Sequence, residues 1–377
     1  MTSTPNPNDP NPDAPGPDSA GRGTTGDSND NEAGAAGFAP IPVTVLTGFL
    51  GAGKTTLLNR ILTTSHAQRI AVIENEFGPV NIDSELLVQQ SAEVVEMTNG
   101  CLCCTVRGDL AKNLVDLASR RAAGEVAFDR VVIETTGLAD PGPVIQTFFA
   151  EPELAETYLL DGVLTVVDAI HAPRQLDEHP VLQKQIGFAD RILVSKSDGV
   201  RAEAVDALVE RLARINPRAP LRRLVAGPLD IGDLLDIRGF NLNETLLADE
   251  AAPRFRPAAG PRAFARKNHG DEIGSLLLEH DGEVDLDRVG AFVQDMLDRH
   301  GDDLLRYKGV LAVPNQPARL VFQGVQRVAG FDYGTEWAAD EQRRSRIVVI
   351  GRRLPESELR RGFRGLHACR VNQRTAQ

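Results

Sequence analysis

Gly48-Phe49-Leu50-Gly51-Ala52-Gly53-Lys54-Thr55 decides how this chain is read. The octet fits the pattern G-x-x-x-x-G-K-[ST]. It follows an apolar run at 42–46 and opens a helical pattern at 55–62, the strand–loop–helix context that the pattern requires. Glycines at Gly48, Gly51 and Gly53 let backbone N–H groups converge on phosphate oxygens. Ala52 and Thr56 complete the expected nucleotide contacts, and the N-terminus of the helix that follows adds favourable dipole charge. Lys54 is expected to reach the β- and γ-phosphates, and the Thr55 hydroxyl to bind Mg²⁺.

Working outward, short apolar runs recur at 41–46, 69–73, 93–97, 130–133, 162–167, 191–194 and 221–225. Helical stretches, among them 183–188 and 201–215, separate them. Runs of this kind fit strands buried on both faces. The prediction is an α/β fold: a P-loop NTPase parallel sheet flanked by helices, spanning 40–227. Residues 1–39 carry Pro, Asn, Asp, Gly, Ser and Thr with almost no large apolar side chain. They read as a disordered acidic tail. Residues 228–261 hold Pro228, Pro253, Pro257 and Pro261 and read as a linker. A small α+β unit is expected at 262–368, with strands at 273–279, 304–313, 318–328 and 346–350 and helices at 286–299 and 356–363. A short tail at 369–377 ends the chain.

The chain has 377 residues, 42% hydrophobic and 25% charged, with a formal net charge of −12. That charge argues against a general nucleic-acid binder, which needs a basic surface. No apolar run approaches a membrane span, and the start lacks the basic-then-apolar pattern of a secretory signal. The expectation is a cytoplasmic protein with no membrane partner. There, clustered thiols read as metal or redox groups rather than structural disulfides.

Two further motifs extend the nucleotide reading. Glu134 ends the apolar run 130–133 and is followed by Thr135-Thr136-Gly137. An acid at the carboxyl end of a central strand faces bound Mg²⁺, and Gly137 can offer its N–H to a γ-phosphate. Ser195-Lys196-Ser197-Asp198 has the form of a guanine-reading turn, with Ser where Asn is usual. A carboxylate at Asp198 accepts from guanine N1–H and its 2-amino group, donors that adenine lacks there. The Lys196 stem packs over the base.

Three of the four cysteines stand together as Cys101-Leu102-Cys103-Cys104. Three thiolates in four residues suit Zn²⁺, Co²⁺ or Cu⁺, but one short turn does not easily supply a tetrahedral fourth ligand. Glu74 and Glu76, in Glu74-Asn75-Glu76-Phe77-Gly78, are the candidates for it. Cys369 is isolated. The seven histidines are scattered; His66, His171, His179, His269, His280, His300 and His367 show no ligand spacing with the cysteines.

Taken in order, Gly48 to Thr56, Glu74 to Gly78, Cys101 to Cys104, Glu134 to Gly137 and Ser195 to Asp198 resemble the CobW family of metal-handling GTPases. Ile273-Gly274-Ser275, Arg306-Tyr307-Lys308-Gly309 and Ile350-Gly351-Arg352 resemble the CobW C-terminal domain. The resemblance implies a GTPase metallochaperone for zinc or cobalt, with a client metalloprotein as partner. Carried over by position, Lys54, Thr55, Glu134 and Gly137 serve hydrolysis and Lys196 and Asp198 serve guanine. Cys101, Cys103 and Cys104 hold the transferred metal. Two departures leave the metal open: Pro79 stands where many relatives carry an acid, and a His-rich loop is reduced to His269. A client-specific activator, for corrinoid cobalt or a nitrile-hydratase-like enzyme, and a regulatory switch with negligible turnover stand as alternatives.

Overall fold

The computed structural model describes residues 40–64, 68–75, 93–96, 105–224, 234–240 and 272–367. Seven strands form the first sheet: β1 (Ile41–Gly48), β2 (Ile70–Asn75), β3 (Glu93–Glu96), β4 (Arg130–Thr135), β5 (Tyr158–Asp168), β6 (Arg191–Ser195) and β7 (Leu221–Arg223). Their spatial order is β3-β2-β4-β1-β5-β6-β7, and every pairing is parallel. All six residues of β4 are buried, as are seven of the eight in β1. These strands are therefore buried along their length rather than on alternate residues, as in a sheet covered on both faces, with apolar runs at 130–133 and 41–46 interrupted by buried Thr44 and Arg130.

One face packs on α1 (Lys54–Thr63): Leu57, Leu58 and Ile61 meet Leu46, Val72, Val132 and Leu164. The other face carries α2 (Thr105–Ala122), α3 (Gly142–Ala150), α4 (Pro152–Thr157), α5 (Ala172–Glu178), α6 (Pro180–Phe188) and α7 (Ala202–Ile215). Helix α7 shows how sequence sets the packing. Val205, Leu208, Val209, Leu212 and Ile215 recur on one stripe and are all buried. Asn216 then ends the helix, its amide donating to the carbonyls of Ile186 and Ala189 at 2.8 Å each.

The second sheet is antiparallel, in the order β11-β10-β9-β12-β8. Its strands are β8 (Ile273–Asp281), β9 (Leu304–Leu311), β10 (Ala318–Val325), β11 (Val328–Glu336) and β12 (Arg344–Arg352). Helices α8 (Leu286–His300) and α9 (Glu356–Arg364) cover one face. Asp285 caps α8 by accepting from the Arg288 N–H at 3.0 Å. In β9, Tyr307 and Leu311 enter this domain's own core. Arg306 and Lys308 turn the other way, toward the first domain. Arg306 pairs with Asp190 and donates to the carbonyls of Phe188 and Gly239, and Lys308 also donates to Gly239.

Two expectations change here. The run 318–328 is a hairpin rather than one strand: it turns after Val325, with Gln326 at φ 51°, and returns as β11. Within the stretch read as a linker, residues 234–240 are packed, and Leu234, Leu235, Ile237 and Phe240 are buried in the first domain. Asp161 holds them by accepting from the N–H groups of Ile237 and Arg238. The expectations for 1–39, 262–271 and 369–377 lie outside the described residues. Among the described residues no helix is long and apolar enough to cross a membrane.

Candidate functional site

β1 feeds α1 on one face of the sheet, and its neighbour β4 feeds α3 and α4 on the other. A crevice opens at the carboxyl ends of strands at such a point, and the glycine-rich loop sits there. Gly48 has φ 144°, and a β-carbon on it would lie 2.3 Å from the Val166 carbonyl oxygen, so no side chain fits. Gly51 and Gly53 are also left-handed, at φ 72° and 100°. The Ala52 N–H closes the turn onto the Phe49 carbonyl at 3.1 Å, and the Gly53 carbonyl receives Leu57 N–H at 2.9 Å as α1 begins. Phe49 is buried and stacks on the His179 ring at 4.7 Å, which pins the loop from beside. Lys54, the first residue of α1, is itself buried.

Glu134 lies in register with Leu46 on β1 and Glu74 on β2. It therefore shares the sheet face of α1. The Thr55 hydroxyl donates to Glu134 Oε1 at 3.0 Å. A hydroxyl beside a carboxylate, both oxygen donors at the foot of a phosphate loop, fits Mg²⁺, which takes hard oxygen ligands. One residue on, Thr135 points to the opposite face and donates to Thr47 on β1 at 2.8 Å.

After β4 the chain turns at once. Ala139 N–H bonds the Thr136 carbonyl at 3.0 Å, closing a four-residue turn around Gly137. Gly137 presses on the glycine-rich loop: a β-carbon on it would lie 2.5 Å from Leu50 N. The two segments expected to share a phosphate are thus in contact.

The base-side turn is built by tertiary contacts. Ser195 donates to the Ala52 carbonyl at 2.7 Å, so the residue standing in for Asn ties this turn to the phosphate loop. Lys196 is left-handed at φ 54° and donates to the Gly51 carbonyl and to Asp168 Oδ2, both at 2.8 Å. Asp198 is exposed in the 3-10 turn Ser197–Gly199, open to solvent at the mouth. Asp168 ends β5 and is buried. It accepts from Ile170 N–H at 2.8 Å and lies 2.8 Å from His171 Nδ1. Burial pushes its carboxyl up, but Lys196, His171 and the two backbone donors outweigh burial and hold it below the usual range.

Of the metal candidates, Glu74 is buried at the carboxyl end of β2, with register partners Glu134 on one side and Glu96 on the other. Cys101, Cys103, Cys104 and Glu76 lie outside the described residues. Among the described residues no group of three or more His, Cys, Asp or Glu is placed to hold a metal.

Several site residues escape a linear reading. Asp168 had a usable signal, since it ends an apolar strand as Glu134 does. His171, which read as scattered, follows Asp168 by three positions and meets it locally, whereas His179 reaches the site only through folding. So does Gln185 of α6, whose amide donates to the carbonyls of Gly137 and Ala139.

Comparison with known proteins agrees with this geometry. Residues 42–223 match the family model described as CobW/HypB/UreG, nucleotide-binding domain. Residues 273–367 match the cobalamin synthesis protein cobW C-terminal domain. The chain is 46% identical over 327 residues to the zinc chaperone YjiA of Escherichia coli, covering 87% of this chain and 99% of that one. It is 35% identical over 354 residues to the zinc chaperone CobW of Pseudomonas aeruginosa, covering 85% and 90%. The solved structure of Zn(II)-bound YjiA GTPase from Escherichia coli superimposes with a TM-score of 0.71 at 41% identity, covering 88% of this chain and 100% of that one. A Zn(II)-bound triple mutant of YjiA, with one glutamate and two cysteines changed to alanine, gives 0.72 at the same identity and coverage.

Proposed function

The chain belongs to the CobW family, and from that premise we propose that it is a GTP-hydrolysing metallochaperone that carries zinc to a client protein. The observation that carries this reading is the placement of Glu74 and Glu134. They are register partners on adjacent strands, and both are buried. One stands beside Thr55 under the phosphate loop; the other belongs to the set expected to hold the cargo metal. Whatever moves the Glu134 end of the sheet on hydrolysis moves its neighbour.

In this reading, Lys54 and the backbone N–H groups of the glycine-rich loop hold the β- and γ-phosphates. Thr55 and Glu134 would hold Mg²⁺, which would supply positive charge to offset that of the phosphates. Gly137 N–H reads the γ-phosphate, Asp198 reads guanine, and Lys196 covers the base. Cys101, Cys103 and Cys104, with Glu74 or Glu76, hold zinc as cargo.

The test is linkage. If GTP tightens zinc binding, zinc tightens GTP binding by the same factor. Zinc affinity is measured on the full chain with a GTP analogue and Mg²⁺, with GDP, and without nucleotide. The analogue state is expected to bind zinc at least about tenfold more tightly. Equal affinities in all three states refute the reading.

A further inference from the structure

Gln185 is fully buried on α6, and its amide nitrogen donates twice: to the Gly137 carbonyl at 3.2 Å and to the Ala139 carbonyl at 3.0 Å. Two carbonyl acceptors fix which end of the amide faces them, because only the NH₂ can donate. Among the described residues its Oε1 has no hydrogen-bond partner. A buried acceptor left unmade is costly, and an apolar side chain of similar length avoids that cost. The amide thus stands at a position where packing alone favours Met or Leu.

What the amide holds is the turn after β4. Inside that turn the Thr136 carbonyl accepts from Ala139 N–H. A trans peptide sets its C=O and N–H in opposite directions. The Gly137 N–H, which belongs to the Thr136–Gly137 peptide, therefore points out of the turn. Gly137 itself abuts Leu50 of the phosphate loop. Gln185 clamps this turn from outside at both Gly137 and Ala139. Next to it on the helix, Lys184 Nζ holds Asp140 Oδ2 at 2.7 Å.

The clamp stands on a fixed base. Thr165 of β5 donates to the Gln185 carbonyl at 3.0 Å. Gln183 Oε1 accepts the N–H groups of Glu272 and Ile273, where the second sheet begins, and Arg306 donates to Phe188 at the end of α6. A group on an element held from two sides orients its target better than one on a free loop.

We propose that Gln185 is a positioning residue for γ-phosphate recognition, setting the Gly137 N–H through the Gly137 and Ala139 carbonyls. The proposal rests on the GTPase reading above and deepens it. It predicts a selective defect. GDP has no γ-phosphate and makes no use of the Gly137 N–H, so losing the clamp weakens GTP and spares GDP.

The test uses the full chain with Gln185→Met, which keeps length and removes both donors. Affinities for GDP and for a non-hydrolysable GTP analogue, each with Mg²⁺, are measured beside the wild type. The analogue is expected to weaken by about tenfold and GDP by no more than about twofold. A general folding defect weakens both alike, and that outcome overturns the proposal, as does an unchanged analogue-to-GDP ratio. Should Gln185→Met fail to fold, Gln185→Asn, which keeps the amide but draws it back from the two carbonyls, is read the same way. A selective loss of about tenfold is expected, and an unchanged ratio overturns the proposal. A wild type that binds no guanine nucleotide removes the GTPase reading itself. A wild type that hydrolyses GTP while the variant keeps its ratio removes only Gln185.

Discussion

Ser195 Oγ lies 2.7 Å from the Ala52 carbonyl oxygen and donates to it, joining the turn proposed to read the base to the loop proposed to hold the phosphates. Both residues are buried. A second link runs in parallel, from Lys196 Nζ to the Gly51 carbonyl. The turn and the loop are therefore positioned by each other, and in the proposed reading the four-residue turn sets base geometry because it is bolted to the loop that sets phosphate geometry.

Replacing Ser195 with Ala removes the first link and leaves a buried carbonyl unpaired, a loss of about 1–1.5 kcal/mol. Because GDP and GTP use both halves, their affinities should fall together by about tenfold. Titration with fluorescent GDP and GTP analogues measures this. A change confined to one nucleotide contradicts the argument.

Thr55→Ala acts differently, because the hydroxyl it removes faces Glu134 Oε1 rather than the base side. GTP hydrolysis at saturating Mg²⁺ should drop on the order of a hundredfold, comparable to losing one transition-state contact. Nucleotide binding in EDTA should change little. Steady-state hydrolysis across a Mg²⁺ titration, with binding in EDTA as the control, separates the two effects.

A buried ion pair lies at the opposite end of the sheet. Arg130, with a side chain 2% exposed, donates to Asp161 Oδ2 at 3.0 Å and pairs with Asp236 of the packed 234–240 segment. Burial pushes the Asp161 carboxyl up, although the Arg238 N–H, Arg130 and the Ile237 N–H pull it down. Since the folded state holds this proton more tightly than the unfolded chain, the group's contribution to stability falls as pH rises from the ordinary carboxylate range through the raised pKa. Arg130→Met removes a counter-charge and extends that window upward. The variant should lose about 3–5 kcal/mol near neutrality, and the deficit should shrink as pH is lowered. Urea unfolding at several pH values tests the sign; a deficit that grows with acidity contradicts it.

How much of this was legible in sequence depended on whether a feature was local. The φ angles of Gly48, Gly51 and Gly53 are requirements of their own positions, so the loop was readable residue by residue. Glu134 was readable because an apolar run ended on an acid. Strand β11 was not: it is an edge strand whose residues are all at least partly exposed, with Gly330 and Gly334 among them. Its hairpin turns at Gln326 rather than at a glycine or asparagine, so no turn signal marked it. The 234–240 segment looked like linker because prolines and acids surround it, yet Leu234, Leu235, Ile237 and Phe240 are buried. Gln185 and His179 act through tertiary contacts, for which spacing along the chain carries no signal.

Glu74 offers the sharpest separation of nucleotide from metal. It ends β2 as Glu134 ends β4, and the two are register partners, yet only Glu134 meets Thr55. If Glu74 serves the cargo metal, Glu74→Ala removes one ligand from a site that three thiolates do not complete in a tetrahedral geometry. Zinc affinity in the GTP-analogue state should fall by at least about tenfold, while the GDP state, already weak, changes less. Reciprocity then constrains a second experiment. The factor by which zinc tightens GTP-analogue binding must shrink in the variant by as much as the factor by which the analogue tightens zinc binding. Both arms are measurable by titration on one preparation. A variant that keeps the full nucleotide-dependent gain in zinc affinity places the missing ligand elsewhere and removes Glu74 from the metal set, whatever happens to hydrolysis.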